Sequence, residues 1–249
     1  MRAPRRLTFD TRGSQLDSWS LDSQAILYES NRNGRFEIFK QGLDDAVPET
    51  MLSSAGRAYG VRPSPDGAWM LYWEQEFAAP GGPPHPMRLM RRPPAGGPRE
   101  KVLEEPFDDF LDFRCPAKSG GCVLSGRGAG KEMVFSSIDP VRGKGERIAG
   151  IELKTGLHAG ATAAVDWSVS PDGSQLALVD AQPLIHLFSR PEGAWREIPV
   201  EPGWGRLNAI SWAADGGGFY AVSRLEGKSN LLHVSASGRA VPLLGKGLD

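Results

Sequence analysis

The chain is poor in several things. It has two cysteines, four histidines and four tyrosines in 249 residues, and no apolar run approaches 18 residues. Two cysteines cannot build a disulfide framework or a four-cysteine zinc site. Without a long apolar run, no helical segment is expected to insert into a bilayer. Charge of either sign is not in excess: the formal net charge is −1. No whole-protein field is therefore expected to draw nucleic acid or an anionic membrane. The first six residues, Met1 to Arg6, are basic, but no apolar segment follows, so they do not read as a secretory signal. Gly-x-Ser-x-Gly is missing, which removes the local signature of an α/β-hydrolase nucleophile.

Turn formers are abundant. There are 31 glycines and 20 prolines, about 20% together against roughly 12% on average. Apolar residues make up 40% and charged residues 24%, enough to bury a core. Short apolar runs between many turns predict short strands. The stretch from Asp166 to Val179 is the clearest unit: a strand end, Ser170-Pro171-Asp172-Gly173, and an apolar strand returning. Pro171 presets φ, Asp172 can bond its own turn backbone, and Gly173 tolerates the positive φ that closes the turn.

The unit recurs. Pro65-Asp66-Gly67 leads into Ala68 to Trp73; Asp215-Gly216 leads into Gly218 to Val222. A worn copy lies at Asp22, with Leu21 in place of proline and Ser23 in place of glycine, followed by an Asn33-Gly34 hairpin signal. A degenerate copy runs from Phe110 to Ala149. The turn aspartates Asp22, Asp66, Asp172 and Asp215 are separated by 44, 106 and 43 residues, the middle gap being two periods of about 53. Four strands per unit at that period predict an all-β fold, a β-propeller with five recognisable blades. The expected units are about 10–52, 53–104, 105–150, 160–200 and 205–245, read as one domain over 1–249. Arg5 to Phe9 is expected as a lone strand. Either it adds to an outer edge, or a final blade is missing and the ring is an incomplete one of six or more blades. An open edge is a liability, so association through it is one expectation and a monomer the other.

Other motifs favour structural readings. Ser125 to Glu132 resembles a phosphate loop, but its first residue is serine, its last is glutamate, and a strand follows; a hairpin is expected. The turn aspartates recur once per unit, whereas a catalytic centre needs one constellation. Glu104, Glu105, Asp108, Asp109 and Asp112 form an acidic run without calcium-loop spacing, expected as a solvated edge. His85, His158, His186 and His233 are scattered, and His186 and His233 are expected at matching places in neighbouring blades, serving core hydrogen bonds. Trp19, Trp167 and Trp212 are expected at equivalent positions before the turns, packing between blades. Cys115 and Cys122 flank a turn; a disulfide is conceivable in an oxidising compartment, and free buried thiols are the alternative. No catalytic, cofactor-binding or metal residue is expected.

Trp167-Ser-Val-Ser-Pro-Asp-Gly173, Arg62-Pro-Ser-Pro-Asp-Gly67 and Ala25 to Phe39 resemble the WD40-like repeats of TolB-type β-propellers. Arg114 to Ser125, Ser137 to Gly145, Ala213 to Phe219 and Leu231 to Val234 are similar to the C-terminal propellers of bacterial serine/threonine kinases and winged-helix regulators. The chain has no kinase glycine loop, no His-Arg-Asp motif and no winged helix. The resemblance therefore implies the non-catalytic sensor part: a domain for protein interaction or ligand sensing, its partner or small-molecule ligand unidentified. It also bears on compartment: cytoplasmic by default, extracytoplasmic if the chain derives from a membrane-anchored receptor kinase. The loops Ala78–Glu100, Pro116–Gly121 and Gly126–Lys131 are expected to carry recognition. The rival readings are a propeller enzyme of glycosidase, lyase or lactonase type, and a propeller that gates a separate peptidase domain.

Overall fold

Among the described residues, turn chemistry and short apolar runs produce twenty strands and no helix. The computed structural model describes residues 6–8, 13–78, 81–108, 111–118, 121–153 and 165–243. The strands form five antiparallel sheets of four, each in simple up-and-down order, and these are the blades of a β-propeller. Blade 1 contains β1 (Ser14–Trp19), β2 (Ala25–Ser30), β3 (Glu37–Gly42) and β4 (Glu49–Leu52). Blade 2 contains β5 (Arg57–Pro63), β6 (Met70–Gln75), β7 (Met87–Arg92) and β8 (Glu100–Glu105). Blade 3 contains β9 (Asp112–Arg114), β10 (Cys122–Arg127), β11 (Glu132–Asp139) and β12 (Gly143–Glu152). Blade 4 contains β13 (Val165–Val169), β14 (Gln175–Asp180), β15 (Leu184–Ser189) and β16 (Ala194–Pro199). Blade 5 contains β17 (Arg206–Trp212), β18 (Gly218–Leu225), β19 (Lys228–Ser235) and β20 (Ala240–Pro242). No helix among the described residues is long and apolar enough to cross a membrane.

The chain divides into two compact units, residues 1–108 with 138–144, and residues 109–137 with 145–249. In the first, the trailing face of blade 1 (Leu27, Ile38, Leu52) packs on the leading face of blade 2 (Val61, Met70, Tyr72). In the second, blade 3 (Val123, Met133, Phe135) packs on Trp167, Val169, Leu176 and Leu178 of blade 4. Blade 4 then presents Ala177, Val179, Ile185 and Leu187 to Ile210, Phe219, Ala221 and Leu232 of blade 5. A strand between two blades needs apolar residues on both faces. β14 accordingly is buried at every position from Leu176 to Asp180, whereas β18 alternates.

The expected strand at Arg5–Phe9 is not formed where the chain is described: Arg6, Leu7 and Thr8 lie outside any strand. Leu7 instead packs on Ile26, Tyr28 and Phe39 of blade 1. Burying one apolar side chain there satisfies the segment without adding a strand. Arg5 and Phe9 lie outside the described residues, as do Asp109, Phe110 and His158. The phosphate-loop lookalike is the β10–β11 hairpin, in which the Gly128 N–H donates to the Glu132 carbonyl at 2.8 Å.

The three tryptophans are not equivalent. Trp19 and Trp212 stand three residues before their turn aspartates and Trp167 five before. Trp167 is buried against Phe135, Trp212 is half-buried against Phe219, and Trp19 is exposed. The histidines differ similarly. His186 pairs across strands with Leu178, six residues after Asp172, but His233 pairs with Tyr220, five after Asp215. A one-residue offset in a strand places a side chain on the opposite face. His186 is buried and His233 lies edge-on to the exposed Tyr220 ring.

Candidate functional site

The turn residues come first, because they set where the strands begin. In blade 4 the Ser170 hydroxyl donates to Asp172 Oδ1 at 2.6 Å, and the Ser174 N–H donates to the same oxygen at 3.0 Å. Ser170 Oγ also accepts the Gln175 N–H at 2.9 Å. These donors, the Ser170 hydroxyl foremost, hold the Asp172 carboxyl down to about 2. The geometry repeats around Asp66 with Ser64, and around Asp22 with Ser20. At Asp215 the serine is replaced by Ala213, and only the Gly217 N–H remains as donor, at 2.8 Å. Pro65 and Pro171 occupy the second turn position, and Gly67, Gly173 and Gly216 take φ of 70°, 75° and 78°. Ser23 takes 56° in the same place. The serine two residues before three of the four aspartates is a turn residue that the Pro-Asp-Gly pattern does not include. Its recurrence at Ser20, Ser64 and Ser170 was the available signal.

The first strands carry carboxylates, Asp17 buried and Asp112 and Asp166 half-buried. In the first unit Asp17 sits at a bulge of β1, opposite a second bulge of β5 at Gly60, φ 67°. Bulges turn backbone amides out of the ladder, and the backbones of Val61 and Gly60 hydrogen-bond this carboxyl. Arg62 Nη1 donates to the Asp17 carbonyl at 2.8 Å. Burial, then the negative charge of Glu29, push Asp17 up to about 7 against those bonds. Asp17 Oδ2 has no hydrogen-bond partner. Glu29 is clasped by Arg57 through Nε at 3.1 Å and Nη2 at 2.6 Å, and the Arg57 guanidinium lies over the Phe36 and Tyr59 rings.

In the second unit Arg114 Nη2 lies 3.0 Å from Asp112 Oδ2 and 3.3 Å from Asp166 Oδ1. Asp166 Oδ2 accepts the Ile210 N–H at 2.8 Å. Burial raises the Asp166 carboxyl, and Arg114 and that amide oppose the rise. Ser168 Oγ accepts the Trp212 N–H at 3.1 Å. In the first unit Ser18, at the same place in the repeat, donates to the Val61 carbonyl at 2.7 Å. These bonds tie the first strand of one blade to the first strand of the next. Farther out, His186 Nε2 lies 3.2 Å from Asp180 Oδ1, and Gln182 Nε2 donates to both Asp180 oxygens. That set anchors the β14–β15 turn. No group of His, Cys, Asp or Glu with metal-holding geometry occurs among the described residues.

Cys115 and Cys122 face each other across the β9–β10 hairpin and are joined as a disulfide, Cα–Cα 4.2 Å. Of the two readings open in the sequence, the structure has the bridge.

The insertion in blade 2 builds a cleft of about 450 Å³ lined by Pro84, Pro86, Glu104, Glu105, Pro106 and Phe107. Gln75 Nε2 donates to the His85 carbonyl at 2.9 Å, which holds the loop on β6. Arg88 bonds Glu76 at 2.7 Å and Glu104 at 3.1 Å; Lys144 bonds Glu105 at 2.6 Å. Phe107 and Phe77 are exposed. Of the acidic run, Glu104 and Glu105 thus form the cleft rim, while Asp112 belongs to the Arg114 cluster. Of the expected recognition loops, Ala78–Glu100 contributes Pro84 and Pro86 to the cleft, residues 79 and 80 lying outside the described set. Pro116–Gly121 is the disulfide-closed turn, residues 119 and 120 lying outside the described set. Gly126–Lys131 is the β10–β11 turn.

No protein-family model matches the chain, and no curated protein sequence matches it. Solved structures do. TolB from Acinetobacter baumannii superposes with TM-score 0.69 at 18% identity, over 95% of this chain and 55% of TolB. Puromycin hydrolase superposes with TM-score 0.63 at 14% identity, over 99% of this chain and 40% of the hydrolase. A chain of a nidogen/laminin complex superposes with TM-score 0.56 at 14% identity, over 88% and 74%. The chain thus spans about half of TolB and less than half of the hydrolase. Identities this low speak to fold, and together with the five four-stranded blades they make the architecture that of a TolB-like β-propeller.

Proposed function

We propose that this chain is a non-catalytic binding scaffold whose recognition element is the blade 2 cleft. The observation that carries the reading is the cleft itself. Prolines and an exposed phenylalanine form a rigid apolar lining, and the neighbouring carboxylates of Glu104 and Glu105 stand at its rim. Such a lining gains from burying an apolar group at little entropic cost, because proline has no side-chain freedom to lose. The ligand chemistry that fits is a short peptide segment pairing an apolar side chain with a basic one. The carboxylates support the non-catalytic reading: buried Asp17 and Asp180 and half-buried Asp166 each make bonds that join strands. The likeness of Arg114 to Ser125 to kinase-linked propellers favours a sensory use of such binding.

The test is fluorescence anisotropy against a peptide library of apolar–basic segments. Peptides selected by the wild type should lose at least about tenfold in affinity to Phe107→Ser and to Glu105→Gln. They should bind Val141→Ser normally. Binding retained by both cleft variants, or no peptide selected, would overturn the proposal.

A further inference from the structure

The repeat makes each blade position comparable with its counterparts, and two faces stand out. On the leading side, Leu16 and Trp19 correspond to Trp167 and Val169 of blade 4 and to Ile210 and Trp212 of blade 5. Trp167, Val169 and Ile210 are 3%, 8% and 5% exposed, but Leu16 and Trp19 are 57% and 48% exposed. On the trailing side, Tyr220 corresponds to Leu27, Leu71 and Ala177, which are at most 2% exposed, whereas Tyr220 is 43% exposed. Val241, aligned with Tyr220 through His233, is exposed as well. Ser211 corresponds to Ser18 and Ser168, whose hydroxyls each bond the backbone of the following blade. Ser211 instead makes a 3.5 Å contact to the adjacent Trp212 carbonyl.

We propose that these two faces dock on each other between copies of this chain, the trailing face of blade 5 against the leading face of blade 1 of a second copy. The occupant is argued from the repeat. The blade 1–2 and blade 4–5 interfaces each join a trailing face to a leading face, with apolar side chains flanking a serine–backbone bond. Blade 5 offers that trailing set (Ser211, Tyr220, His233, Val241), and blade 1 offers the matching Leu16 and Trp19. Neither set contains a carboxylate or a lysine, so no charge opposes the contact. Leu7 covers the outer part of the blade 1 face and leaves Leu16 and Trp19 open. Such a contact is heterologous, using different patches on the two copies. It is distinct from the peptide cleft and does not depend on it.

Sedimentation velocity over a concentration series tests this. The wild type should form species of at least twice the monomer mass. Tyr220→Glu, Val241→Glu and Trp19→Glu should each abolish those species, while Val47→Glu, at another exposed site, should retain them. Mixing Tyr220→Glu with Trp19→Glu restores one intact face on each partner, so a pair should reappear at twice the monomer mass. Circular dichroism confirms that each variant is folded; Val241→Glu serves if Tyr220→Glu is not. A wild type that stays monomeric throughout overturns the proposal. So does self-association that survives either blade 5 variant, or a mixture that fails to pair.

Discussion

Asp17 is the residue where local chemistry and burial conflict most. Its carboxyl is pushed up to about 7 by burial and by Glu29, so the folded chain binds its proton more tightly than the unfolded chain does. The stability it contributes is full below about pH 4 and fades as pH rises through 7. The gap corresponds to at most about 4 kcal/mol. Asp17→Asn should therefore melt higher than wild type at about pH 8, with the difference closing toward about pH 5. A melting difference that is flat with pH would contradict this. The turn aspartates have the opposite sign. Asp172, held down to about 2, and Asp22 and Asp66, also lowered, contribute stability that is lost as pH falls below about 4. Ser23 offers a second test, because it takes φ 56° where its counterparts are glycines. Ser23→Gly should stabilise by about 0.5–1 kcal/mol, the left-handed penalty less the added chain entropy. A lower midpoint in urea would refute it.

At the level of elements, the blade is a meander whose first turn is a hydrogen-bonded device. Pro, Asp and Gly were readable because each is special in backbone terms. Ser20, Ser64 and Ser170 carry no such backbone signature, serine being common in loops; what makes them special is a two-way bond, donating to the aspartate and accepting from the returning strand. Strand registers were less readable. β1, β5 and β17 each carry a bulge, and strand pattern alone does not tell that one residue is unpaired. Likewise His186 and His233 differ by one residue because the β14–β15 and β18–β19 hairpins pair in different registers. The Cys115–Cys122 bridge closes a short loop, and its chain-entropy contribution is about 2–3 kcal/mol. Cys115→Ser with Cys122→Ser should lower the melting temperature of the second unit, and a reductant should do the same to wild type only. Equal melting with and without reductant would show that the bridge carries no stability.

The whole molecule consists of two compact units, and repeat arrays lose cooperativity as neighbour contacts weaken. Calorimetry should show a van't Hoff enthalpy below the calorimetric one. Asp17→Asn should shift the transition of the first unit, and removal of the cysteines that of the second. A single two-state transition moved as a whole by both variants would argue against independent units. This scale also decides which faces are open. Leu16 and Tyr220 are ordinary apolar strand residues in the sequence, and their exposure follows from which blades have neighbours.

The all-β class, the five repeats, the turn residues and the place of the proline-rich insertion follow from local chemistry. Turn φ preferences, strand alternation and proline content act over a few residues and are written in them. The disulfide, the Asp17–Glu29–Arg57 cluster, the Arg114–Asp166 pair and the cleft of Pro84, Pro86 and Phe107 join residues from different strands and loops. Their existence depends on register and on which faces meet, and only the packed chain supplies those. The Asp-Gly turn thus marks where each blade begins, while burial beyond it decides which carboxylates stay charged and which faces remain free.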